Sequence, residues 1–343
     1  MERSRVLLIY TGGTIGMLAD PRTGALQPMD LAHLEEQVPE LQRTGVDLQA
    51  IAFERPIDSS DMRPAHWARI AAIIGEQYDR FDGFVVLHGS DTMAFTASAL
   101  GYLLEGLAKP VVLTGSQLPI GTIRTDAKEN LITAIEIAAA RDADGHAMVP
   151  EVSVYFEYRL LRGNRTVKVH AERFEAFRSP NWPALAEAGV HLRYDRAAIL
   201  PPDPGPLRVH QAMDDRVAVL QLFPGIRPDV VAHALAAPGL RAVVLATFGS
   251  GNASTDPAFL EALQAARQQG LLLVNVTQCV GGRVEQGRYL TSKALERMGV
   301  VGGADLTMEA AVTKLMFLLA IEPSTDAVAQ RMATPIRGDL SLV

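Results

Sequence analysis

Four short runs of strongly apolar residues limit what the first half of this chain can fold into: VLLIY (6–10), FVVLH (84–88), VVLTG (111–115) and VSVYF (152–156). Each has the length and the β-branched content of a buried strand. The stretches 92–107 and 126–140 between them carry apolar residues at i, i+3, i+4 spacing and read as helices. Alternating strand and helix predicts an α/β fold with a parallel sheet and helices on both faces. Ligand sites in such sheets lie beyond the carboxyl ends of the strands.

At 343 residues the chain exceeds the usual size of one hydrophobic core. A break is expected at 199–216, ILPPDPGPLRVHQAMDDR, where prolines, a glycine and charges accumulate. The strand pattern then restarts with VAVLQLF (217–223), AVVLATF (242–248) and LLLVNVTQ (271–278), with helical spacing near 228–237, 256–268 and 307–320. The expected organisation is an N-terminal catalytic domain over 1–198, a linker over 199–216 and a smaller C-terminal α/β domain over 217–343.

A net charge of -7 disfavours nucleic acid or an anionic membrane as a partner. The single cysteine, Cys279, excludes an intramolecular disulfide and a cysteine-built zinc site. The apolar run after MERSR is too short for a signal-peptide core and leads into TGGT instead of a small-residue cleavage site. No stretch reaches the roughly 20 apolar residues of a membrane span, so the expected location is intracellular.

Three of the expected strands end in loops rich in glycine and hydroxyls: Thr11-Gly12-Gly13-Thr14, His88-Gly89-Ser90-Asp91-Thr92-Met93 and Thr114-Gly115-Ser116-Gln117. A fourth polar cluster, Asp58-Ser59-Ser60-Asp61-Met62, follows an apolar segment near residue 51. Glycine directly after a strand lets the backbone turn sharply and approach a ligand. Taken singly, each loop is also explained as an ordinary turn whose Ser, Thr or Asp caps a helix. TGGTIG matches neither phosphate-binding glycine pattern, and no lysine opens the following segment.

Only five of the thirty-two basic residues are lysines, at 109, 128, 168, 293 and 314. Lys168 lies close in sequence to Arg162, Arg165 and Arg173, so a lysine retained there is a candidate base. Arginine does not surrender its proton in a protein, whereas a desolvated lysine does. A chance surface lysine explains it equally well. The eight histidines lack HExxH spacing, so no metal is expected, and no GxSxG elbow is present. His88, at a strand end, reads as a residue packed beneath its loop.

Taken together, TGGTIG (11–16), HGSDTM (88–93) and GNRTVK (163–168) resemble the bacterial-type asparaginases, in particular their cytoplasmic type I branch. DSSDM (58–62), TGSQLP (114–119), FGSGN (248–252) and VTQC (276–279) extend the resemblance in order along the chain. It implies hydrolysis of L-asparagine to L-aspartate and ammonia, with no cofactor and no metal. It makes Thr14 the nucleophile that forms an acyl intermediate, and Ser90, Lys168 and Asp91 a hydroxyl–lysine–carboxylate relay. Asp91 also corresponds to a ligand of the substrate α-amino group. Ser59 matches the residue that binds the α-carboxylate, with Asp58 and Ser60 lining the same loop. A homodimer or homotetramer and a cytoplasmic location are implied as well, with Asn252 and its neighbours near the active site of another subunit.

Three departures accompany the resemblance. Position 90 is serine where the family usually has threonine, which removes a methyl that stiffens χ1. The family's lid tyrosine has no counterpart in MLADPRTGALQPMD (17–30), where Ala25 or Leu26 takes its approximate position. Either another residue activates Thr14, or Tyr10 or a distant tyrosine substitutes, or turnover is slower. In the family's effector site, arginine and threonine correspond to Ala246 and Val167 here, which weakens the expectation of allosteric control. Asn252 and Cys279 are present, the latter also readable as a small buried hydrophobe.

The alternatives are a glutaminase-asparaginase of broader specificity and a non-catalytic asparagine sensor. One methylene is worth only ~1–3 kcal/mol in a pocket, so the motifs do not choose between amides. An amidotransferase subunit of related fold is disfavoured because that branch carries an extra N-terminal domain and TGGT here begins at residue 11.

Overall fold

The protein is described by a computed structural model covering residues 3–19, 26–28, 36, 38–203, 205–288 and 290–342. It divides into two compact units, Met1–Gln211 and Ala212–Val343.

The first unit is built on an eight-stranded sheet. Its strands are β1 (Arg5–Tyr10), β2 (Asp47–Ala52), β3 (Gly83–Leu87), β4 (Val111–Thr114), β5 (Val152–Phe156), β6 (Arg159–Arg162), β7 (Ala186–Glu187) and β8 (Arg193–Tyr194). They lie in the order β8-β7-β6-β5-β4-β3-β1-β2. The pairings β2·β1, β1·β3, β3·β4 and β4·β5 are parallel, and those from β5 to β8 are antiparallel. The parallel part follows from the apolar runs, which are buried on both faces as parallel strands require. The antiparallel extension is an addition to the expected parallel sheet. It begins at a two-residue hairpin turn in which Glu157 (φ 44°) and Tyr158 (φ 68°) both take left-handed backbone.

Among the described residues three helices cover this sheet: α1 (Pro64–Gln77), α2 (Met93–Leu103) and α3 (Ala127–Ala139). Val6, Leu8 and Tyr10 of β1 and Val85 and Leu87 of β3 form a core with Leu131, Ala134, Ile135 and Ala138 of α3. The intervening residues Leu7, Ile9, Phe84 and Val86 point to the opposite face and are equally buried. Helix α2 ends sooner than its expected limit of 107, because Leu104–Glu105 forms a short antiparallel pair with Arg208–Val209. That pairing, and a 2.6 Å contact of His210 Nε2 with Glu105, fasten part of the 199–216 stretch to the first unit.

The second unit contains the parallel sheet β9 (Val217–Gln221), β10 (Ala242–Thr247), β11 (Leu272–Thr277) and β12 (Val301–Gly302), in that order. Its helices are α4 (Pro228–Leu235), α5 (Pro257–Gln268), α6 (Leu290–Arg297), α7 (Met308–Ile321) and α8 (Thr325–Met332). Proline opens α4 and α5, and the side chains of Asp256, Thr307 and Ser324 cap α5, α7 and α8. Val231 and Leu235 of α4 and Phe259 and Leu263 of α5 pack on Val243, Leu245 and Leu273. Lys314 of α7 is fully buried and pairs with the fully buried Asp339 at 2.8 Å. Among the described residues no helix is long and apolar enough to cross a membrane.

Candidate active site

In the sheet register Tyr10 stands beside both Ala52 and Leu87, and Leu87 beside Thr114. The carboxyl ends of β1, β2, β3 and β4 are therefore level, and the four polar loops leave the sheet side by side. Hydrogen bonds fix them to one another: Thr11 donates its N–H (3.1 Å) and its hydroxyl (3.0 Å) to the Leu87 carbonyl, and Ile57 N–H donates to the Thr11 carbonyl at 2.8 Å.

The paired glycines are required by this convergence. Gly12 (φ +135°) and Gly13 (φ +88°) hold backbone that side-chain-bearing residues avoid. A Cβ on Gly12 would overlap the Ile57 backbone, and one on Gly13 would overlap the backbone of Gly89. Gly89 in turn lies against Ser59, whose Oγ would be 2.7 Å from an added Cβ. Three loops thus touch at Gly13, Gly89 and Ser59.

Lys168 is brought to the same place from a distant part of the sequence. After β6 the chain turns at Gly163–Arg165 and continues into the two-residue strand Val167–Lys168, paired with Phe177–Arg178. The turn is held from below by a buried ion pair, Arg162 Nε to Glu151 at 2.7 Å, both side chains at most 3% exposed. Lys168 Nζ donates to Ser90 Oγ at 2.9 Å and to Asp91 Oδ1 at 2.6 Å. Its side chain is largely buried, whereas that of Asp91 is exposed. The arrangement joins a hydroxyl, an amine and a solvent-facing carboxylate, the elements of a proton relay beside a binding point for a cationic group.

Gln117 completes this cluster, and the sequence assigned it no role. Ser90 Oγ donates to Gln117 Oε1 at 3.2 Å, while Gln117 Nε2 donates to the carbonyls of Ala171 (3.1 Å) and Arg173 (3.0 Å). The carboxylate of buried Asp126 accepts the N–H groups of Gln117 and Leu118, and Asn130 Nδ2 donates to the Gly115 carbonyl at 3.0 Å. The only signal in the sequence was a glutamine in an otherwise hydroxyl-rich loop.

On the other side, Asp58 Oδ1 accepts from the N–H (2.9 Å) and hydroxyl (2.7 Å) of Ser60, closing a tight turn. These bonds hold the Asp58 carboxyl below its ordinary range. Ser59 is buried between the loops, and Thr92 Oγ1 donates to its carbonyl at 2.6 Å. Asp58 and Ser60 are exposed.

Thr14 is half-buried at the start of a short 3₁₀ turn, directly after Gly13. Tyr10 lies under that turn, its hydroxyl donating to the Gly16 carbonyl at 3.1 Å. Burial pushes the Tyr10 phenol up to about 12, which suits a hydrogen-bond donor and not a base near neutral pH. Ala25 lies outside the described residues, and Leu26 begins a three-residue strand, Leu26–Pro28, paired with Met17–Ala19. His88 is fully buried beneath its loop.

In the second unit Asn252 closes a turn with Phe248, and Ala246 is buried in β10. Cys279 is exposed, contrary to the reading of it as a small buried hydrophobe. It sits beyond the end of β11 in a turn where its N–H donates to Thr277 Oγ1 at 3.0 Å. Asp142, Asp144 and His146 approach one another in a separate turn, where Asp142 Oδ1 accepts the N–H groups of Asp144 and His146.

Comparison with known proteins agrees with this architecture. Residues 5–200 match the family model of the asparaginase N-terminal domain, and residues 216–332 that of the glutaminase/asparaginase C-terminal domain. The chain is 43% identical to L-asparaginase 1 of Escherichia coli over 345 aligned positions, covering 99% of each sequence. The crystal structure of L-asparaginase I from Vibrio cholerae superposes with a TM-score of 0.90 at 38% identity, covering 99% of this chain and 100% of that one. The thermostable L-asparaginase from Thermococcus kodakarensis gives the same TM-score, 0.90, at 28% identity. With both family models matched over most of its length and full-length relatives this similar, the chain belongs to the asparaginase family.

Proposed function

We propose that this protein is an L-asparaginase that converts L-asparagine and water to L-aspartate and ammonia. The observation that carries the reading is the placement of Lys168 Nζ 2.9 Å from Ser90 Oγ and 2.6 Å from Asp91. These groups lie beside the loop that presents Thr14, which Gly13 packs against Gly89. Full-length identity of 43% to L-asparaginase 1 of Escherichia coli supports the choice of substrate.

In this account Thr14 Oγ attacks the side-chain amide carbon. The threonine proton passes by way of the Ser90–Lys168 pair towards the departing nitrogen, and ammonia leaves as a β-aspartyl ester forms on Thr14. Water then cleaves the ester, returning the proton to Thr14 and releasing aspartate. Asp91, solvent-facing and next to the lysine, receives the substrate α-amino group. The buried Ser59, on a loop shaped by Asp58 and Ser60, receives the α-carboxylate. Backbone N–H groups of the glycine-flanked loops supply donors to the oxyanion. The catalytic side chains all belong to the first unit, Met1–Gln211.

The asparaginase resemblance also supports a cytoplasmic location and assembly as a homodimer or homotetramer, which light scattering on the purified chain decides. Ammonia release from L-asparagine and from L-glutamine tests the reaction. Preferential turnover of asparagine supports it, comparable turnover of both amides replaces it with a glutaminase-asparaginase, and binding without turnover replaces it with a sensor.

A further inference from the structure

Beneath the loop that carries Ser90 and Asp91 runs a buried chain of hydrogen bonds linking α1, α2 and the end of β3. Trp67 Nε1 of α1 donates to Thr96 Oγ1 of α2 at 2.9 Å. Thr96 Oγ1 lies 2.8 Å from His88 Nε2, and His88 Nδ1 lies 2.7 Å from the Gly89 carbonyl oxygen. His88 and Thr96 are 0% exposed and Trp67 is 6% exposed, so water does not substitute for any of these contacts.

The chemistry of the four groups fixes the direction of every bond. An indole N–H only donates and a carbonyl oxygen only accepts, so Trp67 donates to Thr96 Oγ1 and His88 Nδ1 carries the hydrogen that the Gly89 carbonyl accepts. In the neutral ring Nε2 is then the bare nitrogen, and the Thr96 hydroxyl donates to it. The opposite tautomer would set a bare Nδ1 against a carbonyl oxygen at 2.7 Å, two acceptors in contact. Burial also holds His88 neutral, with its pKa lowered to about 4.

The Gly89 carbonyl belongs to the peptide that enters Ser90. A trans peptide is planar, so its C=O and N–H point in opposite directions. A clamp on the Gly89 oxygen therefore also sets the direction of the Ser90 N–H and the start of the Ser90–Asp91 segment. Gly89, held between Gly13 and Ser59, makes this peptide the point where three loops meet.

We propose that Trp67, Thr96 and His88 form a positioning relay that locks the Gly89–Ser90 peptide and thereby aligns Ser90 and Asp91 for turnover. None of the three is a catalytic residue, and the inference rests on the hydrolase reading given above.

Two measurements on the full chain test it. The first is a long-range ¹H–¹⁵N correlation spectrum of the histidine rings near neutral pH, with His88 assigned by its loss in His88→Asn. A bare Nε2 and a protonated Nδ1 are expected, and an Nε2–H tautomer, or averaging between the two, overturns the relay. The second compares Thr96→Val, nearly isosteric but without the hydroxyl, with Thr96→Ser, which keeps it. Thr96→Val should lower kcat about tenfold with KM changed less than about twofold, and Thr96→Ser should restore kcat to within about twofold. A folded Thr96→Val chain with wild-type kcat overturns the proposal. The tautomer measurement needs no turnover, so it decides the relay even where Thr96→Val does not fold. It also separates failure of the relay from failure of the hydrolase reading.

Discussion

Gly13 and Gly89 meet backbone against backbone, with no room for a Cβ on Gly13. This contact joins the loop after β1 to the loop after β3, and so brings Thr14 to the side of Ser90 and Asp91. Gly13→Ala is expected to lower kcat/KM by at least ~100-fold, since displacements of about 1 Å have that effect on positioned groups. Gly45, also left-handed (φ +71°) but with open space around it, is the control. Gly45→Ala should cost about 1–2 kcal/mol of stability and leave kcat/KM unchanged, as read by denaturant titration and ammonia release.

Lys168→Met removes the amine from Ser90 and Asp91 while keeping a long side chain. Its kcat should fall about 10²–10⁴-fold, the usual weight of a proton-transfer group. Lys168→Arg should not rescue it, because a guanidinium does not exchange its proton near neutral pH. Steady-state ammonia assays on the three proteins check both statements, and an active arginine variant contradicts the relay role.

Gln117→Met deletes the acceptor of the Ser90 hydroxyl and both donors to the Ala171–Arg173 turn. The expected result is a fall in kcat of about tenfold, with stability reduced by no more than about 2–3 kcal/mol for the lost hydrogen bonds. Unchanged kcat would show that Ser90 needs no such acceptor.

His88 makes stability depend on pH. Its folded pKa, about 4, lies below the ordinary histidine value of 6.5. Above 6.5 the ring is neutral in both states and contributes no dependence. As pH falls through 6.5 the unfolded chain takes up a proton that the folded chain refuses. Folding stability therefore drops progressively until pH about 4, by about 3 kcal/mol in total. Urea titrations across this window should show a shallower decline in His88→Asn, and parallel curves would contradict the assignment.

The apolar runs, glycine loops and helical spacings carried most of the parallel scaffold, because residues buried on both faces leave an unambiguous pattern. Strand β2 did not read as a strand, since among the described residues only one side of it is paired and Asp47, Gln49 and Ala50 are exposed. The two-residue strands β7 and β8 are too short to show any periodicity. Lys168 was singled out by the scarcity of lysine, but its contact with Ser90 spans 78 positions and no local pattern reports it. The role of Gln117 is not legible in its own loop because its side chain acts on the backbone of a distant turn. The exposure of Cys279 was missed for a related reason, as it lies just past a buried strand, where residue type alone suggests burial.

The most direct test is ammonia release from L-asparagine by the native chain and by Thr14→Ala, with asparagine binding measured in parallel. The expected result is turnover by the native chain, with asparagine preferred over glutamine, and no detectable turnover by a Thr14→Ala chain that still binds asparagine. Wild-type turnover by Thr14→Ala would remove the threonine nucleophile, and a native chain that binds asparagine without releasing ammonia would contradict the hydrolase itself.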